Sequence, residues 1–103
     1  MYVIITQIDQ MNPFEWECAC ITEAKKIPAQ PGCYALIHNN KEILYIGRSK
    51  VLSNRLALPH RHQGFVRYTD PWDELRIHWQ IGWDVYDCEK ELILRYNPRL
   101  SLA

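Results

Sequence analysis

At 103 residues, 48% of them apolar, the chain is large enough for one small domain with a single core and too apolar for a disordered segment. Twelve basic residues balance twelve acidic ones, which excludes a strongly basic, non-specific polyanion binder. No apolar run reaches the ~20 residues of a membrane span, and the start Met-Tyr-Val-Ile-Ile-Thr lacks the basic region and cleavage site of a signal peptide, so a cytoplasmic protein without membrane partners is expected.

Residues 2–8 read as a short strand. Asn12-Pro13-Phe14-Glu15 has the order of a helix start, with Asn as N-cap, Pro at the first helical position and Glu at N3. The helix is predicted to run through Trp16, Cys20 and Ala24 to Lys25 and Lys26, where Pro28 and Pro31 stop it. Two apolar runs, residues 33–37 and 43–46, flank His38-Asn39-Asn40-Lys41-Glu42 and predict a β-hairpin. Gly47 and Arg48 then lead to Ser49 as N-cap of a short helix. On that helix Arg55 falls between Val51 and Leu52 at ~100° per residue, so its cation faces inward. Residues 59–71 are expected to be loop with one helical turn at most. Residues 74–81 alternate as a half-buried strand, with Leu75, Ile77, Trp79 and Ile81 inward and His78 on the solvent side. Asp84 is the expected cap of a last helix that runs to Asn97-Pro98.

The apolar stripe of that last helix consists of Val85, Cys88, Leu92, Ile93 and Tyr96, and Glu89 falls inside it. A carboxylate aimed at a core is costly unless it holds a cation or is paired, here with Arg48 or Arg55. It is the strongest pointer to a site that the residues give by themselves. Cys18, Cys20, Cys33 and Cys88 are read as reduced thiols, since no export signal accompanies them. A zinc module pairing Cys18 and Cys20 with His60 and His62 has one-residue gaps where metal ligands are usually two to four apart. Between residues 48 and 67, Arg48, Lys50, Arg55, Arg61 and Arg67 stand with His60 and His62 and no carboxylate, the pattern of a phosphate-contacting surface or of a solvated face.

Gly32-Cys33-Tyr34 and Tyr45-Ile46-Gly47, on the two strands of one hairpin, resemble the paired signatures of the GIY-YIG nuclease family, and the match extends over residues 28–101. Cys33 replaces the family's usual aliphatic residue, and Ser101 stands where an Asn is usual after the Pro of the last motif. The resemblance implies an α/β domain of the α+β type: a small, mostly antiparallel three-stranded sheet flanked by helices. Residues 28–103 would form the core and residues 1–27 an N-terminal extension of one strand and one helix. It implies metal-dependent DNA endonuclease chemistry, with Glu89 binding Mg²⁺ (or Mn²⁺) and Arg55 stabilising the negative charge that develops on the phosphate.

By the same resemblance Tyr34 and Tyr45 line one pocket, one helping to deprotonate the attacking water and the other positioning water or phosphate. A free tyrosine titrates near ~10, so the base role needs nearby cations, for which Arg48 and Arg55 are the candidates. His60 is the preferred proton relay over His62. Arg48, Lys50, Arg61, Arg67 and Ser101 are expected to contact nucleic acid. No appended specificity module is recognised, so target choice is expected to come from the core, a homo-oligomer or a separate specificity subunit. The rival expectation is a degenerate family member that binds nucleic acid or protein without cutting, which Ser101 and the neutral net charge favour.

Overall fold

The computed structural model of the protein describes residues 11–56 and 75–98. A 3₁₀ turn (Pro13–Glu15) leads into β1 (Glu17–Cys20) and a kinked 3₁₀ segment (Ile21–Lys26). There follow β2 (Gly32–His38), β3 (Glu42–Ser49), α1 (Leu52–Leu56), β4 (Leu75–Ile81), α2 (Trp83–Tyr86) and α3 (Glu89–Tyr96). Among the described residues the strands form one antiparallel sheet in the order β1-β4-β2-β3.

The α+β architecture is the expected one, with four strands in place of three. The fourth, β1, comes from a segment whose capping signals predict helix. Asn12 does cap, accepting from the Phe14 N–H at 3.1 Å, but only one 3₁₀ turn follows. Trp16 is already extended (φ −70°, ψ 164°), and Glu17–Cys20 pair with residues 76–79 of β4. That ladder buries Ala19 beside its partner Ile77, and pairing with an existing strand outweighs a local helix signal worth about 1 kcal/mol. The strand expected over residues 2–8 lies outside the described residues.

The hairpin turns through Asn39 and Asn40, both left-handed (φ 58° and 55°), with the Lys41 N–H donating to the His38 carbonyl at 3.0 Å. Positive φ at both central positions makes a type I′ turn, whose twist suits a hairpin and which Asn tolerates. The register shifts between Leu36 and Ile37, which face Tyr45 and Ile43 and leave Leu44 as the extra residue of a bulge.

The sheet buries both faces. One carries Tyr34, Leu36, Ile77 and Trp79 under Leu52 and Leu56 of α1; the other carries Cys33, Ala35, Ile37 and Ile46 under Val85 of α2 and Leu92 of α3. His78 belongs to the second face, and here the expectation of a solvent-side residue is overturned. The 3₁₀ turn covers it, leaving it 3% exposed with its Nδ1 2.9 Å from the Pro13 carbonyl.

The stretch from Pro28 to Pro31 ties the halves together. Its carbonyls accept from the first N–H groups of α1, Leu52 to Gln30 at 2.9 Å and Ser53 to Pro28 at 3.2 Å, and from Gly82 to Pro31 at 2.7 Å. These carbonyls do the capping expected of Ser49, whose hydroxyl accepts instead from the Val51 N–H at 3.1 Å. The last helix is also divided. Gly82 (φ 127°), not Asp84, is the N-cap of α2, and a turn at Asp87 and Cys88 makes Glu89 the first residue of α3. The expected stop holds: Asn97 is left-handed (φ 46°), and its N–H bonds the Ile93 carbonyl at 2.7 Å.

Candidate active site on the edge strand

Cross-strand pairing places Tyr34 opposite Gly47 on one face of the sheet, and Tyr45, two residues before Gly47, shares that face. The tyrosine rings stand 5.9 Å apart at 34°. Tyr34 is 5% exposed, whereas Tyr45 is only half buried and reaches water more readily. Both glycines of the signatures have steric reasons. A Cβ on Gly47 would lie 2.6 Å from the Tyr34 hydroxyl and 2.7 Å from Cζ, so the ring fills the space a side chain would need. A Cβ on Gly32 would strike the Gln80 carbonyl oxygen and come within 2.9 Å of the Ile81 Cα on the paired strand.

α1 covers this face with Leu52 and Leu56, and Arg55, half buried, stands between them in sequence. Arg55 makes no ion pair with any described residue. It is therefore a partly desolvated cation on the helix that packs over the tyrosine face.

Arg48 follows Gly47 and so points to the opposite face, where it pairs with Cys33. Its Nε lies 3.5 Å from Oε1 of Glu89, and its guanidinium carbon lies 4.6 Å above the centre of the Tyr86 ring. The Glu89 side chain is 25% exposed, at the rim of the core rather than in it. Cys33 lies deeper: its thiol donates to the Val85 carbonyl at 3.0 Å, and burial, with the Glu89 carboxylate next, pushes its pKa far up and keeps it a neutral thiol. All four cysteines are free.

Two groups of expected site residues are thus assembled, Tyr34 with Tyr45 and Arg48 with Glu89, on opposite faces of the edge strand β3 and meeting at consecutive residues Gly47 and Arg48. Arg48 is placed against the carboxylate and not beside the tyrosines, because alternation along β3 sends it to the other face. Lys50 is exposed just beyond the end of β3. His60, Arg61, His62, Arg67 and Ser101 lie outside the described residues. The sequence pattern does not single out Tyr86, although on the one continuous helix that it predicts, Tyr86 stands three residues before Glu89 and shares its face.

The donor set suits a hard, hydrated ion. Among the described residues no three His, Cys, Asp or Glu side chains gather to hold a metal, which leaves Glu89 as one carboxylate that water and phosphate oxygens would supplement. No helix among the described residues is long and apolar enough to cross a membrane.

No family model matches the chain. It is similar to the UvrABC system protein C of Chlamydia abortus, 32% identical over 84 residues, and of Acaryochloris marina, 34% identical over 87 residues. The match takes in 76% of this chain in both cases but only 14% and 13% of those proteins, so the chain spans about one seventh of their length. Among solved structures it resembles the magnesium-bound GIY-YIG N-terminal endonuclease domain of UvrC from Thermotoga maritima, at 26% identity and a TM-score of 0.62, over 79% of this chain and 93% of that one. With both signatures on paired strands and the fold in common, the chain belongs to the GIY-YIG nuclease superfamily.

Proposed function

We propose that the protein is a metal-dependent DNA endonuclease that hydrolyses phosphodiester bonds at the Gly47–Arg48 end of β3. The observation that carries the reading is the Tyr34–Tyr45 ring pair, with Tyr34 packed against Gly47, in a chain that shares its fold with a magnesium-bound endonuclease domain.

Glu89 would hold the ion, which supplies charge neutralisation at the scissile phosphate and help for the leaving oxygen. Tyr45, the more exposed of the pair, takes the proton of the attacking water, and buried Tyr34 fixes the position of water or phosphate. Arg55, which forms no ion pair among the described residues, brings positive charge to the tyrosine face and stabilises the negative charge that grows on the phosphoryl oxygens. Arg48 and Lys50 are exposed cations beside the site and steer the phosphate backbone, with Arg61, Arg67 and Ser101 as further contacts and His60 as a proton relay. The relatives named above belong to the UvrABC system, which makes DNA repair the nearest biological setting.

The test is cleavage of supercoiled plasmid and of duplex, flapped and branched DNAs at low salt, with Mg²⁺, Mn²⁺ or EDTA, beside Glu89→Gln. Cleavage that needs the ion and disappears in the variant is the expected result. Binding without cleavage, equal in both proteins, would leave a non-cutting binding domain instead.

A further inference from the structure

Trp83 is 56% exposed, the one aromatic among the large exposed apolar side chains described. An indole left in water needs a reason, because its burial elsewhere would be favourable. It is also firmly placed. Its ring meets Tyr86 edge to face at 5.3 Å and 71°, Arg48 lies over the face of Tyr86 at 4.6 Å, and Arg48 reaches Glu89 at 3.5 Å. Indole, phenol, guanidinium and carboxylate thus form one continuous row from solvent to the residue assigned above to the metal.

We propose that Trp83 is a stacking platform for an unpaired nucleobase, so that the preferred substrate carries a single-stranded or extruded nucleotide beside the scissile phosphate. The inference rests on the reading of the protein as a nucleic-acid enzyme and names its substrate class. Base stacking on an aromatic ring is tolerant of sequence, and a base on Trp83 leaves its backbone one ring away from Arg48, with Lys50 exposed further along. The acidic neighbours narrow the choice. Asp84 and Asp87, both exposed, flank α2, and the phosphates of a duplex laid across this surface meet their repulsion. A single splayed nucleotide presents its uncharged face to Trp83 while its phosphate turns to Arg48. That separates an unpaired strand from a duplex at this surface.

The experiment is fluorescence anisotropy in EDTA, which removes cleavage, with three labelled probes of equal length: a single strand, a blunt duplex and a duplex with a flap. Wild type, Trp83→Ala and Trp83→Phe are compared after circular dichroism shows equal folding. Trp83→Ala is expected to weaken binding of the single strand and the flap by about 5- to 150-fold, the range for losing one stacked base. Trp83→Phe restores most of it, and blunt-duplex binding is the same in all three. An equal loss on every probe, or none on any, overturns the proposal and leaves the indole to a protein partner. Should wild type cut plasmid while Trp83→Ala binds unpaired DNA normally, the stacking role alone fails. If wild type binds no probe and cuts nothing, the nuclease reading fails with it.

Discussion

The ring of Tyr34 fills the space in which a side chain at Gly47 would have to stand, its hydroxyl 2.6 Å from where a Cβ would lie. The two signatures of the family therefore depend on each other: the glycine of the second makes room for the tyrosine of the first. Gly47→Ala must push aside a ring that is only 5% exposed, and overpacking of this kind costs about 1–3 kcal/mol. Gly32→Ala meets strand backbone instead, at the Gln80 carbonyl and the Ile81 Cα, which cannot swing away. Urea unfolding is expected to rank Gly32→Ala as the less stable variant. Gly47→Ala should lose proportionally more nuclease activity than stability.

The roles proposed for the two tyrosines follow their unequal exposure. Tyr45→Phe removes a hydroxyl from a half-buried ring and is expected to leave stability within about 1 kcal/mol while lowering the cleavage rate about 10²- to 10⁴-fold, the range for a proton-transferring group. Tyr34→Phe removes a buried hydroxyl and should cost stability as well, by about 1 kcal/mol. Single-turnover rates and denaturation midpoints, measured on the same preparations, check both. Equal, unimpaired cleavage by the two variants would remove the tyrosines from the chemistry.

In the proposed function Arg48 has two partners whose demands conflict, Glu89 and a DNA phosphate. Its pair with Glu89 is part-exposed on both sides, so Arg48→Gln should change stability by less than about 1 kcal/mol. Removing the cation leaves the Glu89 carboxylate uncompensated, and its affinity for Mn²⁺, read by calorimetry, is expected to rise. DNA affinity is expected to fall, and the slope of log K against log salt to shrink by about 1, the loss of one phosphate contact. Tighter ion binding together with weaker DNA binding is the signature that separates competition for Glu89 from a merely structural pair.

Local patterns made the hairpin, β4 as a strand with Leu75, Ile77 and Trp79 inward, and the apolar stripe of the last helix legible in the sequence, whereas Ile81 proves exposed, His78 buried and Glu89 only at the rim of the core. Each pattern rests on spacing within a few residues. What escaped depended on partners distant in the chain. β1 reads as helix because Asn12-Pro13-Phe14-Glu15 caps locally, and only the ladder to β4 redirects it. Ser49 reads as a cap because the carbonyls that replace it come from Pro28 and Gln30, across the whole β-hairpin in sequence. The inward position of Glu89 already offers Arg48 as its partner, as found, whereas placing Arg48 beside the tyrosines as well overlooks the alternation along β3 that turns it toward Glu89 and Tyr86. The glycine of each signature was visible as a letter, but its steric reason needed the neighbouring strand.

His78 supplies a pH test of the fold that is independent of catalysis. A carbonyl can only accept, so the Nδ1 that lies 2.9 Å from Pro13 carries the hydrogen, and the buried Nε2 has no hydrogen-bond partner among the described residues. Protonating Nε2 would bury a charge with nothing to receive its hydrogen. Burial accordingly lowers the His78 pKa below the usual histidine value, the Pro13 carbonyl raises it in part, and Arg76 lowers it further. The unfolded chain takes up the proton near the ordinary ~6.5, whereas the folded protein resists it until lower pH. Stability from this residue is therefore fully present above pH ~6.5 and declines below it, with a slope of at most about 1.4 kcal/mol per pH unit, and levels off below the folded-state pKa. Urea unfolding from pH 7.5 down to pH 5 should show this decline in wild type and a shallower one in His78→Phe. Equal slopes in the two proteins would mean that His78 ionises as readily in the fold as outside it.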